Sequence, residues 1–251
     1  MTIRSLITSV AIAASLYGNT AVAQPALPPK AKADSAKVPA PLFTTKDFVI
    51  AGAFVVGTVA MFPFDERLAK HLTNPGAQAN KFFKDASKGV EWIASPGSYV
   101  IGGTLYAVGR IGKFERVADL GWHGTEAVFV ADVVTYALKG MAGRARPFVA
   151  ADTSPHNFKF LKGFGDGNRQ SLPSGHTTSA FAAAAAVTAE TGTWWPRSTW
   201  VIGPLMYGGA TMVGLSRMYH NKHWASDVVL GAAIGTFSGQ KIVQYSHAHP
   251  T

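Results

Sequence analysis

Six apolar segments, each of helical length and separated by proline or glycine breakers, constrain this chain more than any other feature. They run roughly over Phe48–Phe62, Tyr99–Val108, Thr125–Leu138, Thr177–Ala189, Trp200–Leu215 and Trp224–Phe237. The breakers are Pro63, Pro96-Gly97, the stretch from Gly163 to Gly167, and Pro196 after Trp194-Trp195. No stretch alternates polar and apolar residues over a useful length, so strands are not expected. The pattern predicts an all-α fold: one helical bundle of about six core helices. Long alanine runs and 26 glycines favour closely packed helices, in water or in a membrane.

The chain before this pattern reads differently. Arg4, the apolar run Leu6–Leu16 and Ala21-Val22-Ala23 have the layout of an export signal over residues 1–23, with cleavage expected before Gln24. The competing reading is an uncleaved anchor. Residues 24–42, rich in Pro, Ala and Lys, read as a flexible tether, which leaves 43–246 for the folded domain. No cysteine is present, so disulfides, thiolate ligands and cysteine nucleophiles are excluded.

Most apolar segments fall short of the roughly 20 residues a membrane span needs. Several carry Glu126, Asp132, Pro204 or Asp227 inside them. If a leader is cleaved outside, six spans would also turn the loops after segments three and five inward. The expectation is therefore a periplasmic bundle, soluble or membrane-associated, with an integral membrane protein as the alternative. The formal charge is +9, and loss of Arg4 with the leader leaves +8. Such a balance suits nucleic acid, anionic lipid or a phosphorylated substrate; the position of the cations has to decide.

Three clusters place those cations. Lys139, Arg146 and Pro147 end the third segment. Taken alone they are ordinary cations at a helix C-terminus. Pro173-Ser174-Gly175-His176 precedes the fourth segment, where Ser174 can cap a helix and Gly175 lets its N-terminal amides approach an anion. Taken alone this is a common turn and cap. Ser216-Arg217, His223 and Asp227 follow, and the spacing of four puts His223 and Asp227 on one face if they share a helix. That pairing serves either as an exposed ion pair or as a nucleophilic histidine with an orienting carboxylate.

Together the three clusters resemble, at eleven positions in order, the tripartite signature of the type 2 phosphatidic acid phosphatase superfamily. The same superfamily holds bacterial acid phosphatases and vanadium haloperoxidases. The resemblance covers Lys139 to about Gly235 and leaves the first hundred residues without a motif. It implies hydrolysis of phosphate monoesters: a lipid phosphate, an isoprenoid diphosphate or a small soluble ester. Lys139, Arg146, Arg217, Ser174 and Gly175 would bind the phosphate. His223, oriented by Asp227, would attack phosphorus to form a phosphohistidine, and His176 would protonate the leaving group. No metal or cofactor is expected, and no nucleic acid partner. The alternatives are a vanadate-dependent haloperoxidase and a non-catalytic phosphate or headgroup binder. His220 is expected to be a surface or packing residue, against a catalytic alternative, and Asp132 is a candidate orienter of Lys139. Arg144 and Arg169 are candidates for a basic rim, and Trp194-Trp195 for an interfacial belt or a bundle end.

Overall fold

A computed structural model describes residues 41–79, 81–149 and 154–249. The proposed leader and nearly all of the tether lie outside the described residues.

The first apolar segment grows into α1 (Thr45–Thr73), started by Asp47, whose carboxylate accepts the Thr44 N–H at 2.6 Å. Pro63 does not end it. The helix runs on for ten residues, because a proline forfeits one ladder hydrogen bond without forcing termination. Pro204 lies inside its helix in the same way. After a short turn, α2 (Pro75–Gln78), comes an amphipathic helix that the apolar pattern does not reveal, α3 (Lys81–Trp92). Then follow α4 (Ser98–Gly112), α5 (Glu115–Ala142), α6 (Gly175–Trp194), α7 (Thr199–Tyr219) and α8 (Ala225–Ala248). The described residues contain no strand, only an isolated bridge between Arg144 and Phe158. The all-α bundle is as expected, with longer helices than the apolar segments marked.

Helix α6 is the central element, flanked by α5, α7 and α8. Its inner face is Ala182, Ala184, Ala185 and Ala186, all fully buried. Helix α8 meets it through Gly231, Gly235 and Gly239, spaced by four. A β-carbon at Gly235 would stand 2.3 Å from the Thr178 carbonyl oxygen, and one at Gly239 2.5 Å from that of Ala182. Glycine there is what lets two backbones touch. The core is built of small residues, while large apolar ones point outward: Trp200 and Ile111 are 84% exposed, Leu205 71% and Phe48 69%. That arrangement inverts the usual distribution of a water-soluble domain.

The long helices run up and down, so their ends gather at two poles. The C-terminal ends of α1, α5 and α7 meet the N-terminal ends of α6 and α8 at one pole, marked by the Arg144 contacts to Asp65 and Asp227. The opposite pole holds the start of α1 and the end of α8, joined by Lys241 and Asp47 at 2.7 Å. Helix α5 ends at Gly143, whose φ of +55° and closeness to the Lys159 carbonyl admit no side chain. From there the loop to α6 folds back across the first pole.

Candidate active site

The three sequence clusters come together at that first pole, and beneath them lies a charged layer the motifs do not contain. Arg144 is fully buried. Its guanidinium donates to Asp65 Oδ2 at 2.7 Å, to Asp227 Oδ1 at 2.5 Å, to Ser226 Oγ at 2.7 Å and to the Pro155 carbonyl at 2.8 Å. Phe62 stacks over it, 4.5 Å from the guanidinium carbon. Arg144 is therefore not part of a basic rim: it sits between two buried carboxylates and ties α1 to α8. Arg169 does lie nearer the surface, donating to Asn157 Oδ1 and the Gly143 carbonyl.

Asp227 occupies the first turn of α8 and accepts the Trp224 N–H at 2.8 Å, the Ser171 hydroxyl at 2.6 Å and Arg144. His223 precedes the helix rather than sharing it. Its Nδ1 lies 2.7 Å from the Ser171 carbonyl oxygen and 3.6 Å from Asp227 Oδ2. The ring is therefore oriented first by Ser171 and only flanked by Asp227, which corrects the expectation of a direct helical His–Asp hydrogen bond. A carbonyl can only accept, so Nδ1 carries the proton and Nε2 keeps its lone pair. His223 is 3% exposed. Burial pushes its pKa down to about 3, against the pull of Asp227 and reinforced by Lys139 and Arg146.

The cations frame this ring. Lys139 Nζ donates to the Gln170 carbonyl at 2.6 Å, and its stem passes the N-terminus of α6: a β-carbon on Gly175 would meet Lys139 Cε at 3.6 Å. Arg146 Nε donates to the Gly167 carbonyl at 3.0 Å. Arg217 reaches Glu91 Oε2 at 2.5 Å, and its Nε is buried with no partner among the described residues. His176, half-buried in the first turn of α6, lies in the field of Arg217, Glu91, Lys139 and Arg146. The Ser174 hydroxyl is shared with Thr177 at 2.8 Å, and its N–H donates to the Asp227 carbonyl at 3.0 Å. Ser174 thus fastens the start of α6 to the start of α8.

Asp132 does not orient Lys139. It accepts from Tyr99 and Ser179, each at 2.8 Å, and so links α4, α5 and α6. His220 contacts Glu91 through Nδ1 at 2.8 Å and Ser87 through Nε2 at 3.0 Å, so it braces the carboxylate that holds Arg217. The residues that sequence reasoning missed are Asp65, Glu91, Ser171 and Gln170. Asp65 carried an available signal, since an ionisable residue within an apolar helix has to find a buried partner. Glu91, on a helix without a motif, carried none.

A relative from Porphyromonas gingivalis, a lipid A 1-phosphatase, is 47% identical over 72 residues, which is 28% of this chain and 15% of that protein. The match therefore covers a small part of the relative's length. A transmembrane PAP2-type phosphatidylglycerolphosphate phosphatase from Bacillus subtilis superimposes with a TM-score of 0.61 at 18% identity, covering 81% of this chain and 97% of that one. Aquifex aeolicus LpxE gives 0.50 at 22% identity, over 70% of this chain and 92% of its own. The sequence model of the PAP2 superfamily matches residues 121–250, just over half of the chain and all three clusters. This chain belongs to the PAP2 superfamily.

Proposed function

We propose that this protein is a membrane-embedded phosphatase of lipid phosphate esters that works through a phosphohistidine on His223. The observation that carries the reading is the orientation of that ring. Ser171 holds Nδ1–H, so Nε2 presents a lone pair from a site where the imidazole stays neutral. Lys139, Arg146 and Arg217 supply the positive charge that three phosphoryl oxygens require, and the unpartnered Arg217 Nε is a donor still to be used.

In the reaction, Nε2 of His223 attacks phosphorus as the ester P–O bond breaks opposite to it. His176 gives its proton to the departing alkoxide. It then takes a proton from water, whose oxygen displaces the histidine and releases inorganic phosphate. Asp227, anchored by Arg144, stabilises the cationic imidazole formed in the attack. Glu91 holds Arg217 in place and competes with phosphate for it.

Two features favour a lipid substrate over a small soluble ester. An apolar crevice of about 350 Å³, lined by Leu138, Met141, Phe160, Leu172 and Pro173, includes the sequence neighbours of Lys139 and Ser174 and has the chemistry for an acyl chain. The outward-facing residues of α1, α4, α5 and α7 include many large apolar side chains. Helix α1 by itself has the length and composition to cross a bilayer, with only 6% of its most apolar stretch buried. The other long helices reach 20 to 28 residues, α4 apart, or about 30–42 Å, so the short apolar segments no longer argue for a soluble bundle. We read the bundle as integral to the membrane, with the site at one surface.

The test is phosphate release from p-nitrophenyl phosphate and from phosphatidic acid in excess chelator, comparing wild type with His223→Ala. Release from the lipid that disappears in the variant is expected. No release from either substrate would leave only phosphate binding and end the proposal.

A further inference from the structure

At the pole opposite the phosphate site, a second set of ligand-type side chains converges from three helices. Glu190 of α6 is 0% exposed, a carboxylate sunk in the bundle. His123 of α5 approaches its Oε2 through Nδ1 at 3.1 Å, and His247 of α8 reaches both oxygens through Nε2 at 3.0 Å. The two imidazoles stand edge to face, their centroids 5.6 Å apart. The candidate donor atoms all lie within 4.8 Å of one another. Among the described residues no lysine or arginine pairs with Glu190. Its charge is met only by imidazoles.

The geometry assigns these three residues to a divalent transition-metal site of the zinc type. Two imidazole nitrogens and one carboxylate are a common donor set for such an ion, and a fourth position would remain for water. Bonds of about 2.0–2.1 Å in a tetrahedral arrangement put donors about 3.3 Å apart. The observed nitrogen–oxygen separations need little adjustment to admit an ion in place of the shared protons. A route to the cluster exists. His123 and His247 line a cavity of about 640 Å³ at the surface of this pole, which also holds Glu115, Asp119, Glu126 and His249, with Arg110 paired to Glu115 at 3.3 Å. Asp119 and Glu126, the two carboxylates not paired with Arg110, make the cavity attractive to cations. The His247 side chain is 40% exposed and can be desolvated at small cost.

An ion here would cross-link α5, α6 and α8, the helices that carry Lys139, His176 and Asp227 at the far pole. Its role is structural support of the scaffold, remote from the reaction. The expectation that the phosphate site needs no metal is a separate matter. Sequence alone hid this cluster because its members are separated by 67 and 57 residues and form no short spacing motif.

The experiment uses the full-length chain in detergent, stripped of metal and titrated with Zn²⁺ by calorimetry and with Co²⁺ by visible absorption. One equivalent per chain is expected, with the intense d–d bands of a low-coordinate site and a raised Tm. His247→Ala and Glu190→Gln should each weaken binding at least tenfold, whereas His223→Ala should not. His247→Ala, near the end of α8, should keep its phosphatase turnover, which shows that it has folded. Failure of wild type to bind one equivalent would overturn the proposal. So would binding that survives both variants, or binding lost only in His223→Ala, which would move the ion to the phosphate site.

Discussion

Each pole of the bundle buries a carboxylate beside histidine, and the two are balanced in opposite ways. Asp227 faces Arg144, a permanent cation, and has its remaining oxygen capacity taken by Ser171 and the Trp224 amide. His223 is left to the Ser171 carbonyl and stays neutral. Glu190 has no such cation and depends on His123 and His247 themselves. Where arginine supplies the charge, the histidine keeps a free lone pair for chemistry. Where it does not, the histidines are committed to the carboxylate, directly or through an ion.

Removing Arg144 attacks this contrast most strongly. Arg144→Ala strands Asp65 and Asp227 as two buried uncompensated carboxylates, and breaking such a set costs about 3–5 kcal/mol. Thermal unfolding in detergent should show a large fall in Tm, with turnover lost. His247→Ala at the other pole, measured in the absence of metal, should cost well under half as much, because its side chain is partly exposed. Equal losses would break the comparison.

The contrast also fixes the sign of a pH effect. An unfolded His223 binds a proton below about 6.5, while the folded one stays neutral down to about 3. Protons therefore favour the unfolded chain across that window, and stability falls as pH drops through it. His223→Gln should flatten the Tm profile between those limits, and an unchanged profile would place the acid sensitivity elsewhere. The smallest effect concerns Glu91, which ties down Arg217 at the rim. Glu91→Gln keeps a hydrogen bond but removes its charge. The expected result is tighter inhibition by inorganic phosphate, on the order of tenfold, for about one charge-assisted contact, with turnover changed less.

The residues proposed for the site could be named from sequence because phosphate chemistry demands particular types in particular places: Lys139 in the last turn of one helix with Arg146 just beyond it, His176 opening another, His223 and Asp227 around the start of a third. What supports them could not. Asp65 and Glu91 come from the motif-free half of the chain. Ser171 acts on His223 through its backbone carbonyl, which any residue possesses, so side-chain identity carries no signal for it. The His223–Asp227 spacing misled for a similar reason, since helix α8 begins between the two. The all-α bundle was readable from apolar segments and breakers, but helix length was not. Polar and small residues extend each helix beyond its apolar stretch, and Pro63 and Pro204 are absorbed. The amphipathic α3 lacked an apolar run altogether.

The described chain begins and ends at the pole away from the phosphate site, as the Asp47–Lys241 contact requires. If the bundle is embedded as proposed, a reporter fused after α8 should therefore lie across the membrane from the site. If the site faces the periplasm, the reporter should be active only in a cytoplasmic format.

The central claim is the covalent role of His223, and trapping the intermediate tests it most directly. Enzyme quenched during turnover of phosphatidic acid labelled in its phosphate should carry acid-labile, alkali-stable label. That label should map to His223 by mass spectrometry and be absent from His223→Ala. Active enzyme that never acquires label at His223 under rapid quenching, or that acquires it on another residue, would contradict the account.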